Sequence, residues 1–318
     1  MRNAAAEFLG CSPVEVTINH NTTEAFNLLA NGLPLGPGDE VLFSSLNHTG
    51  ASQPFFHMAR SRGFTVERFQ FPLLDAPQMD ADRVIDEYAR RISPRTRVLV
   101  FPHIDNIVGI RHPVRELAAA ARLRGVDYVV VDAAQSVGMI PIDVADMGVD
   151  LFATSPHKWI QAPKGLGLAY VSPALIESLQ PMWVTWGQNQ WQGTARIFED
   201  YGTRNLAEVL AMGDALAFQR KIPAANREDR LRALRQHAVE RASAHQRTSW
   251  ASPPSWEMNG ALFGVAIRGG EANELSRTLF SEHGIVLRPF NTQGLNAVRL
   301  SPNLFNTEGE IDRFFDAL

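Results

Sequence analysis

The period of apolar and polar positions changes repeatedly along the chain, and each change marks an element. "VEVTI" (residues 14–18) reads as a strand, and "TTEAFNLLANGL" (22–33) as an amphipathic helix. "EVLFSS" (40–45) is a strand, a helix runs from about Gly50 to Arg62, and "FTVERFQ" (64–70) is a strand again. "ADRVIDEYARRI" (81–92) predicts a helix and "RVLVFPH" (97–103) a strand. In "PVRELAAAARLRG", Val114, Leu117, Ala118 and Ala121 fall at i, i+3, i+4 and i+7, one face of a helix. "YVVVDAAQ" (128–135) and "LGLAYVS" (166–172) are strands. "RVLVF" and "YVVVD" are continuously apolar, as strands covered on both faces are. Strands alternating with helices in this way predict an α/β fold with a mostly parallel sheet flanked by helices.

The pattern differs in the last third. "NLAEVLAMGDALAFQRKI" is helical until Pro223, and "REDRLRALRQHAVERASAHQ" is a long, highly charged helix. "ALFGVAIRG", "ANELSRTLFSEHG", "IVLRPF", "NAVRLSPNLF" and "EGEIDRFFDAL" then read as strand, helix, strand, strand, helix. The expected division is a large domain over residues 1–222 and a small α+β domain over 223–318. The start, "NAAAEFLG", is helical with a stop at Gly10, so the chain opens inside a helix and an upstream segment is expected.

Composition narrows the classes. The 318 residues are 45% hydrophobic and 20% charged, an ordinary globular mix. A net charge of −4 without a Lys/Arg run argues against a nucleic-acid partner. No apolar run approaches the length of a membrane span, and no leader-type apolar region opens the chain. The lone cysteine, Cys11, has no partner for an internal disulfide, which suits the cytoplasm. The dinucleotide fingerprint, the phosphate-binding P-loop, the zinc-protease motif and the serine nucleophile elbow are all missing.

What remains lies at strand ends, where open α/β sheets bind ligands. Asn21 with Glu24 resembles a capping box, and the Thr22 and Thr23 amides and hydroxyls suit a phosphate at a helix start, or simply an ordinary cap. His48 could stack on a flat ring or be a loop histidine, and Asn106 could donate to a ligand or form a turn. Asp132, ending "VVVD", would be costly to bury alone; it could bind a metal, cap a helix or pair with a cationic ring nitrogen. Gln135 follows three residues on. Lys158, in "TSPHKWIQAPKG", is either a surface lysine or a nucleophilic amine of lowered pKa. Gly165 and Gly167 suggest close backbone approach nearby.

Residues 129–172, from "VVVDAAQSVG" through "SPHKWIQAPKGLGLAYVS", resemble the cofactor-lysine region of the class V aminotransferases, fold-type I enzymes using pyridoxal 5′-phosphate. The resemblance extends to "NHNTTEAFNLLANGLPLGPGDEVLFSSLNH", "PHIDNIVGIRHPV", "FEDYGTRNLAEVLAMGDAL" and "VRLSPNLFNTEGEID", covering nearly the whole chain in order. It is greatest to isopenicillin N epimerase-like and cysteine lyase-like members. It implies that Lys158 carries the cofactor and moves the Cα proton, that Asp132 pairs with the ring nitrogen, and that His48 stacks on the ring. Gln135 and Asn106 would bind the ring oxygen or the substrate. Thr22, Thr23, Ser155 and His157 would hold the phosphate, and Thr203 would reach it from a second subunit of a homodimer. Arg299 would take the substrate carboxylate, where a surface ion pair is the plainer account. "NHT" around His48 and the late start of the chain depart from the family pattern. So does the lack of a cysteine near "RPFNTQGLNAV", where desulfurases carry their persulfide; persulfide chemistry is therefore not expected. The implied activity is aminotransferase or epimerase chemistry at the α-carbon of an amino substrate. A C–S lyase, and a non-catalytic binding protein or truncated enzyme keeping the fold, are the alternatives.

Overall fold

The computed structural model describes residues 1–318. In chain order the elements are α1 (Arg2–Leu9), β1 (Val16–Asn19), α2 (Thr22–Gly32), β2 (Glu40–Ser44), α3 (Thr49–Arg62) and β3 (Thr65–Phe69). Next come α4 (Ala81–Ala89), β4 (Thr96–Pro102), α5 (Val114–Arg122), β5 (Tyr128–Asp132), β6 (Leu151–Thr154), β7 (Gly167–Val171) and α6 (Pro173–Ser178). The remainder is α7 (Leu206–Lys221), α8 (Ala224–Ala244), β8 (Thr248–Trp250), β9 (Phe263–Ile267), α9 (Ala272–His283), β10 (Arg288–Thr292), β11 (Leu295–Leu300) and α10 (Glu308–Asp316).

Seven strands form one sheet in the order β1-β7-β6-β5-β4-β2-β3, and four form a second, β10-β11-β9-β8. In the large sheet β2, β3, β4, β5 and β6 pair in parallel, while β7 runs antiparallel to both β1 and β6. Alternation along the strands separates two cores. Leu99, Phe101, Val129 and Val131 face one side, packing with Leu9, Tyr88, Leu117 and Leu216 of α1, α4, α5 and α7. Val98, Val100, Val130 and Ala169 face the other, with Phe26, Phe55 and Leu175 of α2, α3 and α6. Helices on both faces explain why "RVLVF" and "YVVVD" carry no polar side.

Some local expectations shift. "VEVTI" is a strand only from Val16, because Ser12 and Glu15 form a capping box around a short 3₁₀ turn begun by Pro13. β6, β8 and α6 have no counterpart in the sequence reading; each is too short for a period to emerge. β10 lies three residues beyond the start of "IVLRPF". At α2, Asn21 accepts from Glu24 N at 2.9 Å, but the Glu24 carboxylate turns to the His20 amide, so only one limb of the expected box forms. No helix is long and apolar enough to cross a membrane.

Candidate active site

The carboxyl ends of β1, β2, β4, β5 and β6 each deliver a candidate residue. Asp132 closes β5 and is 7% exposed; its Oδ1 accepts from Ala134 N at 3.0 Å. β6 ends at Thr154, and a turn held by Lys158 N donating to Ser155 O (3.1 Å) brings the lysine back over the sheet. Lys158 is half-buried. Burial lowers its pKa and Arg299 lowers it further, while the facing Asp132 carboxylate works in the opposite sense. The structure therefore joins Lys158, Asp132 and Arg299 in one electrostatic neighbourhood.

His48 belongs to it too. It caps α3 through Nδ1, which accepts from Gly50 N at 3.1 Å. Its pKa is lowered, first by desolvation; Asp132 pulls it up, and Lys158, Arg288 and Arg299 push it down. Arg299, on β11, donates from Nη1 to the Asn106 carbonyl at 2.6 Å. Asn106 sits in the loop after β4, which Asp105 organises: its buried carboxylate accepts from Ile107 N (2.7 Å), Val108 N (3.0 Å) and Ile110 N. Burial raises the Asp105 pKa against those bonds. Gln135 is half-buried beyond β5, and its Oε1 accepts from the indole Nε1 of Trp159 at 3.0 Å.

At the start of α2, Thr22 and Ser155 meet across the sheet. Thr22 N donates to Ser155 Oγ at 3.1 Å, and the two hydroxyls are 2.7 Å apart. Thr23 is turned differently and lines the groove between α2 and α3 beside Gly50. His157 is half-buried with Nδ1 unpartnered, and burial, then Lys158 and Lys164, lower its pKa. Thr203 is exposed in the turn before α7 and makes no hydrogen bond to any other candidate residue. Gly167 does provide a close approach, though not to the lysine. A Cβ there would lie 2.7 Å from the Asn21 carbonyl carbon, so the residue lets β7 lie against the start of α2.

Three residues near the site were not foreseen. Arg288 pairs directly with Arg299 across β10 and β11, a relation only strand register reveals. Asp105 lies in "HIDNIVG", where the Asp-Asn pair ahead of Gly109 is a turn signal. Trp159 is the neighbour of Lys158 and was left without a role. A cavity of about 600 Å³ is bounded by Arg288, Arg299 and α10 residues such as Phe314; Lys158 and Asp132 are not on its wall.

This arrangement can hold a carbonyl ligand by an amine, a cationic ring by a carboxylate and an anionic substrate group by guanidinium. A family model described as Aminotransferase class-V matches residues 1–314. An isopenicillin N epimerase of Streptomyces clavuligerus is 30% identical over all of this chain and 82% of its own length. A cysteine desulfurase of Haloferax volcanii is 29% identical over 98% of this chain and 76% of its own. Among solved structures, the apo cysteine desulfurase of Thermococcus onnurineus NA1 superposes with a TM-score of 0.86 at 22% identity, covering 99% of this chain and 81% of that one. The cystine C-S lyase C-DES gives 0.87 at 22% identity, covering 99% and 84%.

Proposed function

Because the chain belongs to the class-V aminotransferase family, we propose that it is a pyridoxal 5′-phosphate enzyme acting at the α-carbon of an amino acid or amino-acid-containing metabolite, of aminotransferase or epimerase type. The observation that carries this reading is the half-buried Lys158 amine, its pKa lowered by desolvation, within electrostatic reach of the Asp132 carboxylate at the end of β5. The donor set fits the cofactor: an amine of reduced basicity, a carboxylate for a ring nitrogen, the Gln135 amide, and the Thr22–Ser155 hydroxyl pair at a helix start. When bound, the cofactor supplies an electron sink for charge developing at the α-carbon.

The chain's own residues do the rest. Lys158 Nζ would hold the cofactor through its aldehyde carbon and would be placed to move the α-proton, a role its lowered pKa favours. Asp132 would keep a proton on the ring nitrogen. His48 presents its imidazole as a stacking face, and its own lowered pKa keeps that ring neutral. Ser155, Thr22 and His157 would take the phosphate, while the Thr23 hydroxyl is turned toward Gly50. Arg299, braced by the Asn106 carbonyl, would take the substrate carboxylate, and the Asn106 side chain is proposed to bind the same substrate. The turn at Ile222–Pro223 between α7 and α8 is taken as the boundary of the two domains.

The second reading, β-elimination with C–S cleavage, shares the deprotonation and draws on the desulfurase relatives. A persulfide on this chain does not fit it. The only thiol, Cys11, has its pKa pushed up to about 12 by burial and by Glu15 and Asp143, so it is no thiolate at neutral pH.

We further propose a homodimer in which Thr203 completes the partner's phosphate site. The exposure of Thr203, and of Trp186 (98%) and Leu210 (67%) on nearby segments, supports it.

Borohydride reduction of the holoenzyme should fix a pyridoxyl group on Lys158. An amino-acid panel followed by mass spectrometry, with and without a keto acid, should give a racemised or transaminated product, and amines lacking a carboxylate should not turn over. Label only on Lys164 or Lys221 would defeat the lysine assignment. Pyruvate-type products with released sulfide would favour the lyase.

A further inference from the structure

We propose that Trp159 is a positioning residue that fixes the Gln135 amide with its N–H side turned toward the cofactor's ring oxygen. The inference rests on the pyridoxal phosphate reading above and concerns how this chain controls that contact.

The argument starts from donor chemistry. An indole N–H is a donor with no acceptor capacity, whereas a glutamine amide has both. Whichever Gln135 atom faces the indole must therefore be the oxygen, and the 3.0 Å contact is from Trp159 Nε1 to Gln135 Oε1. The amide nitrogen is then directed away from Trp159, and it meets no acceptor within the chain. Gln135 follows Asp132 by three residues and Trp159 follows Lys158 by one, so this hydrogen bond joins the loop after β5 to the turn after β6.

The indole itself has little freedom. Trp159 is 4% exposed and packs in an apolar cluster with Ile104, Met139, Leu231, Trp256 and Leu262. The loop carrying Gln135 is pressed against it at Gly138 (φ +98°), where a Cβ would come within 2.7 Å of the Trp159 carbonyl carbon. Leu231 and Trp256 come from α8 and the segment after β8, so packing between the two halves of the chain sets an amide at the ring.

An amide N–H donated to the ring oxygen favours its anionic form and lowers the pH at which the bound chromophore loses its proton. Without the indole N–H the amide can rotate and present its oxygen instead. The test is a pH titration of the visible absorption of bound pyridoxal phosphate in wild type, Trp159→Phe, Gln135→Ala and the double variant, with cofactor dissociation measured alongside. Placing benzothienylalanine at position 159 removes only the N–H and keeps the ring shape, which covers the case of a misfolded Trp159→Phe. The expected result is an upward midpoint shift of about half a pH unit or more, with cofactor bound severalfold more weakly. The double variant should be no worse than Gln135→Ala alone. Wild-type titration in both position-159 variants would overturn the proposal. A position-159 effect that persists in full over Gln135→Ala would overturn it as well, since Trp159 would then act by packing. A wild-type chain with no visible band would overturn the cofactor reading beneath it, an outcome distinct from the other two.

Discussion

Replacing Gly167 with alanine tests whether the start of α2 holds the cofactor phosphate. The new Cβ would lie 2.7 Å from the Asn21 carbonyl carbon and 2.8 Å from its Cα and N, where ordinary contact begins at 3.4 Å. The backbones must therefore separate by about 0.6–0.7 Å, and neither is a flexible tip. Gly167 is locked in the β1–β7 ladder opposite Asn19, and Asn21 is the N-cap of α2. Overpacking of this kind costs about 1–3 kcal/mol, which for a chain of this size lowers Tm by a few degrees, roughly 2–4 °C per kcal/mol or less. The functional effect is sharper. A shift of that size takes the 3.1 Å Thr22 N–Ser155 Oγ bond out of hydrogen-bonding range and pulls the helix start off the phosphate position. Losing one hydrogen bond to a charged group costs about 1.5–3 kcal/mol, so the pyridoxal phosphate Kd should rise about tenfold to a hundredfold. Turnover at saturating cofactor should fall much less, because Lys158 and Asp132 hang from other strands. Calorimetry of the apoprotein and an absorbance titration with pyridoxal phosphate measure the two effects. Gly36→Ala, with no atom within 4 Å of its added Cβ, is the neutral control. A Gly167→Ala protein with wild-type Tm and wild-type cofactor affinity would refute the reasoning.

Two other outcomes are expected. His112 is fully buried beside Tyr88 Oη (3.0 Å) and its pKa is pushed down to about 3, chiefly by burial. Between that value and an unfolded pKa near ~6.5 the unfolded chain binds more protons, so stability climbs with pH through this window and is lost on acidification. Denaturant unfolding at pH 7 and pH 4.5 should show His112→Gln losing about 2 kcal/mol less than wild type over that interval; equal losses would remove His112 as the cause. For the dimer, mixing inactive Lys158→Ala with an inactive variant carrying Thr203→Trp should restore part of the activity, because one site in each mixed dimer carries neither lesion. No recovery despite proven subunit exchange, or a fully active monomer in sedimentation, would end the idea.

The parts of this site that were legible in the sequence share a physical property: their position follows from local pattern alone. Asp132 ends an apolar run that must be a buried strand, and a strand end in a parallel sheet is where a ligand sits. Lys158 stood out because its neighbours are apolar, small or Gly/Pro. The alternation of strands and helices gave the doubly covered sheet for the same reason, since each element's period is written within it. What escaped depends on pairs distant along the chain. Arg288 opposite Arg299 is a matter of register between β10 and β11, and "IVLRPF" places its strand three residues early. Gly167 does give the close backbone approach its type suggests, but that the backbone it admits belongs to Asn21, on a neighbouring strand's exit, is not written in its own stretch. Glu24 stood at the right spacing for a capping box, yet the His20 amide competes for its carboxylate and wins. Gln135 puts the distinction most sharply. Its residue type announces both a donor and an acceptor three residues after Asp132, and nothing in its own stretch of chain chooses between them. The choice falls to Trp159, which can only donate, and whose place is set by apolar packing against α8 and the segment after β8.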